Sequence, residues 1–446
     1  MISLTHMHTL HTLRIPEVLL ILLFLATPAF AAGMITPGSS FHIIDIEHPD
    51  IISPEITWQK CLKGPIPSSS YIIQQTSDGG YIMVGRTDSN ATDADLNYWI
   101  VKLSSGGDIG WQKSLRGTQK KPPLTMEQTD TCGYRAGERS GSPEGNTTAN
   151  KSMLNSWIQK FTHEGEISWE KSLGNAFQEE IRSIQQTADG GYILGGSAVL
   201  PDNNTSLNRR DRDCWIAKLT SSGDLSWKKT LGGTKDDLAY RIRQTADGGY
   251  IIGGASASND GDVTGNHGDL DYWIVKLTPG AEISWEKSLG GSNRDQPYDI
   301  QQLADGGYII AGASASNDGD VSGNHGDSDY WIVKLTPAGK TSWQKSFGGK
   351  AADEANSIRQ TNDGGYIVAG ESVSRDGDVT GNHGDADYWI VKLATDGNLR
   401  WEKSLGGSRY DSGQSILQTN DGGYIIAGIT YSDDGDITGN RERLFT

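Results

Sequence analysis

Cysteine, proline, basic residues and long apolar runs are all scarce in this chain, and each scarcity excludes something. Its 446 residues include three cysteines, Cys61, Cys132 and Cys214. They stand at three different places in the pattern described below, with neither a Cys-x-x-Cys pair nor a repeated spacing. A disulfide framework or zinc site therefore does not hold the fold together, although one bridge between two of them stays open. Only 14 prolines interrupt the chain. Lys and Arg number 39 against 56 Asp and Glu, a formal charge of −17, which argues against a nucleic-acid partner because phosphate binding needs a basic surface. One stretch is strongly apolar, from Val18 to Ala26, and Pro28-Ala29-Phe30-Ala31-Ala32 follows it. That run is short for a bilayer span and ends in an Ala-x-Ala pattern. Residues 1–33 thus read as a secretory signal peptide cleaved near Ala31, leaving a mature chain without a membrane span, secreted or at the cell surface.

What is abundant is glycine, 57 residues, and aromatic residues in fixed places. Trp99, Trp157, Trp215, Trp273, Trp331 and Trp389 follow one another at 58-residue steps. So do Trp111, Trp169, Trp227, Trp285, Trp343 and Trp401, and the tyrosines Tyr134, Tyr192, Tyr250, Tyr308, Tyr366 and Tyr424. Self-similarity at a fixed period marks a repeat architecture. Within one copy, residues 239–245 alternate in character as a half-buried strand does. Asp247-Gly248-Gly249 supplies a tight hairpin turn, and residues 250–254 a second strand whose glycines allow close backbone approach. A polar loop from Ala255 to Leu270 precedes a third strand, residues 271–277, and a fourth, residues 283–289. Four antiparallel strands with short turns make a propeller blade.

The pattern resembles kelch repeats: apolar residues ending in paired glycines, a variable loop, then spaced aromatics including Trp. It is also similar to secreted archaeal and bacterial β-propeller repeat proteins carrying Asp-Gly-Gly-Tyr-Ile-x-Ala-Gly and Asp-Tyr-Trp-Ile-Val-Lys-Leu, here seen at 363–370 and 329–335. The Gly339 to Trp343 step resembles the tryptophan-docking repeats of quinoprotein dehydrogenases, but the Asp of that family is missing from the matching strand. These resemblances imply a propeller and leave activity open, since such folds host unrelated functions.

Seven Gly-Tyr strands (from Tyr81) and seven Trp-x-Lys strands (from Trp58) stand against six Tyr-Trp strands, with residues 41–46 in the place of the missing copy. The chain starts with the third and fourth strands of a blade and ends with the first and second. The expected fold is therefore all-β: a seven-bladed β-propeller of four-stranded antiparallel blades over residues 34–446, closed by N-terminal strands pairing with C-terminal strands, with no open sheet edge. A monomer is expected.

Binding residues gather on loops held by a rigid scaffold, and the face with the long loops between second and third strands has the chain to shape a site. In the last four blades these loops carry Asp260 and Asp262, Asp318 and Asp320, Asp376 and Asp378, and Asp434 and Asp436, the hard oxygens Ca²⁺ prefers. Ser256 and Ser258 stand where an EF-hand needs acids, so turn geometry is the stronger reading. Asp237, Asp295, Asp353 and Asp411 add acids from the links between blades, and His267, His325 and His383 are expected to face solvent. The first blades instead carry sequons, at Asn90, Asn146, Asn150 and Asn203 or Asn204, plausible glycan sites in an exported chain. The second Trp series (Trp111, Trp169, Trp227, Trp285, Trp343, Trp401) reads as blade docking, because Trp buries so much area.

No singular catalytic constellation or cofactor motif stands out, and a general acid and base need different environments. The expected function is a non-catalytic, exported propeller that binds a protein or glycan. A structural envelope component and a secreted hydrolase or lyase acting on polysaccharide are the alternatives.

Overall fold

A computed structural model describes residues 21–22, 41–46, 55–62, 68–88, 96–116, 125–128, 134–140, 155–162, 164, 166–173, 179–199 and 211–438. The chain is a β-propeller of four-stranded antiparallel blades. Its strands form six four-stranded sheets and one five-stranded sheet, and strands consecutive in sequence are neighbours in space. The blade of residues 237–289 shows the plan. Its inner strand Asp237–Gln244 pairs with Tyr250–Ser256, then Asp271–Leu277, then the outer strand Ile283–Leu289.

The local causes are legible. The turn after each inner strand needs positive φ, which Gly248 supplies at 79°. Ile252, Trp273, Val275 and Leu277 pack with Cys214 and Ile216 of the preceding blade, so each apolar core lies between neighbours. The third-strand indoles of Trp215, Trp273, Trp331 and Trp389 are buried to 0 % exposure. Their Nε1–H groups donate across the sheet where the outer strand offers an acceptor, as Trp389 does to Glu402 at 2.8 Å. In the blade of residues 179–231 Lys228 takes that place, and the Trp215 Nε1 has no hydrogen-bond partner. Lys228 instead lies 5.2 Å from the Trp215 ring centre, a cation–π contact.

The outer Trp series bridges blades. Trp227, Trp285 and Trp343 lie 5.8–5.9 Å, centre to centre, from Tyr250, Tyr308 and Tyr366 of the next blade, in edge-on geometry. Trp401 approaches Tyr424 in the same way and Trp169 meets Tyr192 at a tilt, and Trp111 packs with Ile82, Val84, Ile100 and Phe161.

The N-terminal strand Phe41–Ile46 pairs with Tyr424–Thr430, and Ile56–Leu62 pairs with the former. Chain start and chain end thus share one sheet. Ile21–Leu22, within the apolar run expected to be a signal peptide, adds a two-residue pairing with Ile43 and His42.

The sequence predicts seven blades; the structure supports five. Blades beginning at Glu179, Asp237, Asp295, Asp353 and Asp411 have every inner-strand side chain described. Residues 68–116 and 125–173 also pair into four-stranded sheets, but many of their side chains and most of their connecting loops lie outside the described residues.

Candidate functional site

The inner strands of the five described blades carry a β-bulge at the same place. Pairing shifts between Ile181 and Ser183, Ala239 and Arg241, Pro297 and Asp299, Ala355 and Ser357, and Gly413 and Ser415. The skipped residues are Arg182, Tyr240, Tyr298, Asn356 and Gln414. A bulge bends its strand and re-aims a side chain, and the opposite strand must make room. A Cβ on Gly254 would overlap the carbonyl oxygen of Leu238, so the paired glycines of the second strand answer the bulge.

Around the axis, the bulged residue and the positions one and three further on do not repeat. The first of those positions reads Ser183, Arg241, Asp299, Ser357, Ser415, and the second Gln185, Arg243, Gln301, Arg359, Leu417. The latter two positions, with the bulged Gln414, supply most of the lining of the described cavity, about 30 Å³: Ile72, Ile73, Gln74, Ser183, Arg241, Arg243, Ser357, Arg359, Gln414 and Ser415. No described residue of the long loops lines it.

Inner strands run from the long-loop face to the tight-turn face, so the channel has two tiers. The loop-side tier is aromatic and acidic. Arg182 stacks 4.7 Å from the Tyr240 ring centre, and Tyr240 meets Tyr298 edge-on at 5.9 Å. Tyr298 Oη donates to Glu354 at 3.1 Å, and Tyr410 Oη donates to Glu371. Burial, then the charge of Glu354, pushes the Glu371 carboxyl up to about 7.

The turn-side tier is basic. Arg359 pairs with Asp299, and Arg241 Nε lies 3.6 Å from its other oxygen. Asp299 is 2 % exposed. Burial alone would raise its pKa, but Arg359, Arg241 and Arg243 hold it below the usual carboxylate range. Burial pushes Arg241 down to about 10, Arg243 and Arg359 adding to the effect against the pull of Asp299. Once rotated, the Gln301 amide oxygen accepts from Arg359. Three guanidiniums thus face one carboxylate.

The loop acids, for which turn geometry is the stronger expectation over calcium, hydrogen-bond to the backbone of the preceding link. Asp260, Asp318, Asp376 and Asp434 accept from the amides of Thr234, Ser292, Lys350 and Ser408 in the preceding link, at 2.7–2.9 Å. Asp262 and Asp378 accept from Gly232 and Gly348. Asp320 and Asp436 lie 3.9 and 3.8 Å from the Nε2 atoms of His267 and His383. Among the described residues no three His, Cys, Asp or Glu side chains come together as a metal site.

The histidines are exposed, at 38–40 %, while each Nδ1 is hydrogen-bonded to the buried Asp271, Asp329 or Asp387 at 2.6–2.8 Å. One placement differs from the sequence reading. Asp237, Asp295, Asp353 and Asp411 do not face the mouth. They are buried to 0 % exposure and brace the loop, as Asp295 does by accepting from Gly291 N at 2.8 Å and Ser316 Oγ at 2.9 Å. The sequons at Asn90, Asn146, Asn150, Asn203 and Asn204 lie outside the described residues, as does Cys132; Cys214 is a free, buried thiol.

The channel residues sit inside strands and match no sequence motif. A signal was present: in aligned repeats, the inner-strand columns of Tyr240, Arg241 and Arg243 vary among charged, hydroxyl, amide and aromatic types while their neighbours are copied.

No family model matches the chain. Regulatory protein FlaEY of Caulobacter vibrioides is 26% identical over 226 residues, 46% of this chain. The match spans 23% of that protein, about a quarter of its length. Among solved structures, Sqt1 from Chaetomium thermophilum aligns at TM-score 0.42 and 11% identity, over 78% of this chain and 75% of that one. A puromycin hydrolase S511A mutant aligns at TM-score 0.42 and 12% identity, over 88% of this chain and 57% of that one.

Proposed function

We propose that this chain is an exported, non-catalytic binding propeller of the cell surface or extracellular space, and that it takes a glycan into its axial channel from the long-loop side. The observation that carries the reading is the contrast inside each inner strand, where copied core residues alternate with uncopied polar and aromatic residues that converge on the axis. Tyr240 and Tyr298 offer apolar ring surface with polar tips. Glu354, Asn356 and Gln414 offer directional acceptors and donors, a combination suited to sugar faces and hydroxyls. Export rests on the Val18–Ala26 run and the Ala-x-Ala pattern after it.

A ring of seven blades belongs to the same reading. The sheets of residues 68–116 and 125–173 complete the circle in it. Packing of Ile425 and Ala427 with Ile73, Met83 and Trp99 supports this, as does packing of Phe161 with Ile82 and Val84. The acidic loops are read as turn-makers in place of calcium sites, and the sequons as glycan acceptors on the opposite side of the mouth.

The test is a glycan array probed with the purified full chain, alongside an assay for polysaccharide turnover. The reading expects saturable binding to a defined group of glycans with no turnover. Turnover would make the protein an enzyme, and an array without any signal would remove the glycan.

A further inference from the structure

We propose that the turn-side tier of the channel is a small-oxyanion site, in which Arg241, Arg243 and Arg359 with the hydroxyls of Ser357 and Ser415 receive a carboxylate or phosphate group. This rests on the binding reading above and narrows its ligand to one bearing an anionic group.

The charge inventory is the first argument. A chain of net charge −17 places three guanidiniums along one cavity, and among the described residues one buried carboxylate, Asp299, meets them. A buried cation without a counter-charge is costly, and nothing in the repeat requires these arginines. Their columns hold Ser, Gln or Leu in other blades. Packing alone does not explain charge at these positions.

Geometry is the second. Arg359 and Arg241 approach Asp299 from two blades, while Arg243 and Arg359 share a register position two blades apart. Arg243 pairs opposite Ile251, and Arg359 opposite Ile367. Guanidinium forks recognise planar carboxylates and phosphates with paired hydrogen bonds. Ser183 Oγ bridges to the next blade at Ile242, donating to its carbonyl at 3.4 Å and accepting from its amide at 3.1 Å. Ser357 Oγ accepts from Ile416 N at 3.3 Å. The serine tier is thus fixed in place before any ligand arrives. Size is the third argument. A water needs roughly 10–15 Å³ of such volume, so about 30 Å³ admits the end of an anionic group and excludes a sugar ring. Glu127 holds the equivalent register position in its own sheet, opposite Arg135; its side chain lies outside the described residues.

Inorganic phosphate is the probe, and thermal melting of the full chain at constant ionic strength is the readout, with chloride as reference. Phosphate also stabilises proteins by exclusion from their surface, so the comparison is with Arg243→Gln, checked for native circular dichroism. Site binding predicts that the apparent phosphate affinity falls at least about tenfold in that variant. Asp299→Asn, which removes the competing carboxylate, is expected to tighten phosphate several-fold, and acetate to give a weaker shift at the same site. An identical phosphate response in wild type and both variants would overturn the proposal. It would leave the array result untouched. Conversely, a phosphate response specific to Arg243 on a chain that binds no glycan would retire the glycan and keep the anion site.

Discussion

Two sets of residues in the same blades obey different rules. The scaffold set is copied: Lys102, Lys218, Lys276, Lys334 and Lys392 each reach the Asp of a tight turn, at 2.8–3.1 Å. Around the channel, residues one step past the bulge run Ser, Arg, Asp, Ser, Ser. Copying in the first set and divergence in the second are the division of labour that the proposed binding function expects. A propeller whose acids and aromatics were all scaffold would show no such divide.

The largest effect should come from breaking the scaffold. Trp331→Ala removes an indole of 0 % exposure and is expected to cost about 3–5 kcal/mol in denaturant melts. Trp273→Ala should match it closely, because the environments are copies. Next comes the counter-charge among the described channel residues. Asp299→Asn leaves guanidiniums unpaired and is expected to cost about 2–4 kcal/mol, a loss that added phosphate should partly restore. No phosphate rescue is expected for Trp331→Ala, which makes rescue a clean separator of the two sets. Lys276→Met removes donors from Asp247 and from the Leu277 carbonyl. About 1–2 kcal/mol is expected in the same melts, with Lys218→Met alike.

A smaller effect contrasts the two faces through pH. On the turn face, partial burial opposes but Lys276 and Thr245 hold Asp247 down to about 2. Such groups contribute stability that is present above about pH 4 and lost as pH falls toward 2. On the loop face, burial pushes Asp329 up to about 6 and Asp411 up to about 7. Neighbouring Asp353 and Asp387 add to these shifts, and each pair leaves carboxylate oxygens without a protein partner. Raised groups work the other way: their contribution is complete below about pH 4 and is lost as pH rises through 6 to 7. Melting temperature is therefore expected to peak near pH 4–6 and to fall on either side. Asp411→Asn should flatten the upper limb by about 1–3 °C. The smallest change in stability, under about 1 kcal/mol, is expected for Arg243→Gln, despite its large effect on phosphate affinity.

Much of the scaffold is legible in sequence because periodicity records it. Asp247-Gly248-Gly249 announces its turn, the Trp columns announce the core, and the complementary chain ends announce the pairing of residues 41–46 with 424–430. Reading failed where tertiary partners decide. Asp295 looks like one more surface acid among Asn, Asp and Gly. Only the fold brings Gly291 and Ser316 to it and buries it. Tyr240 looks like an alternating strand residue until the bulge turns it to the axis, and no local signal distinguishes a bulged strand from a regular one. Asp299, Arg241 and Arg359 lie on three blades, about one repeat apart each, so their meeting follows from blade order and from nothing in their own segments.

The central claim is that recognition sits on the axis and not in the acidic loops. Its most direct test is the glycan-array signal of three proteins side by side: wild type, Tyr298→Ala at the channel mouth and Asp320→Asn in a long loop. The account predicts that Tyr298→Ala loses the signal while Asp320→Asn keeps it. Loss with Asp320→Asn and retention with Tyr298→Ala would contradict it.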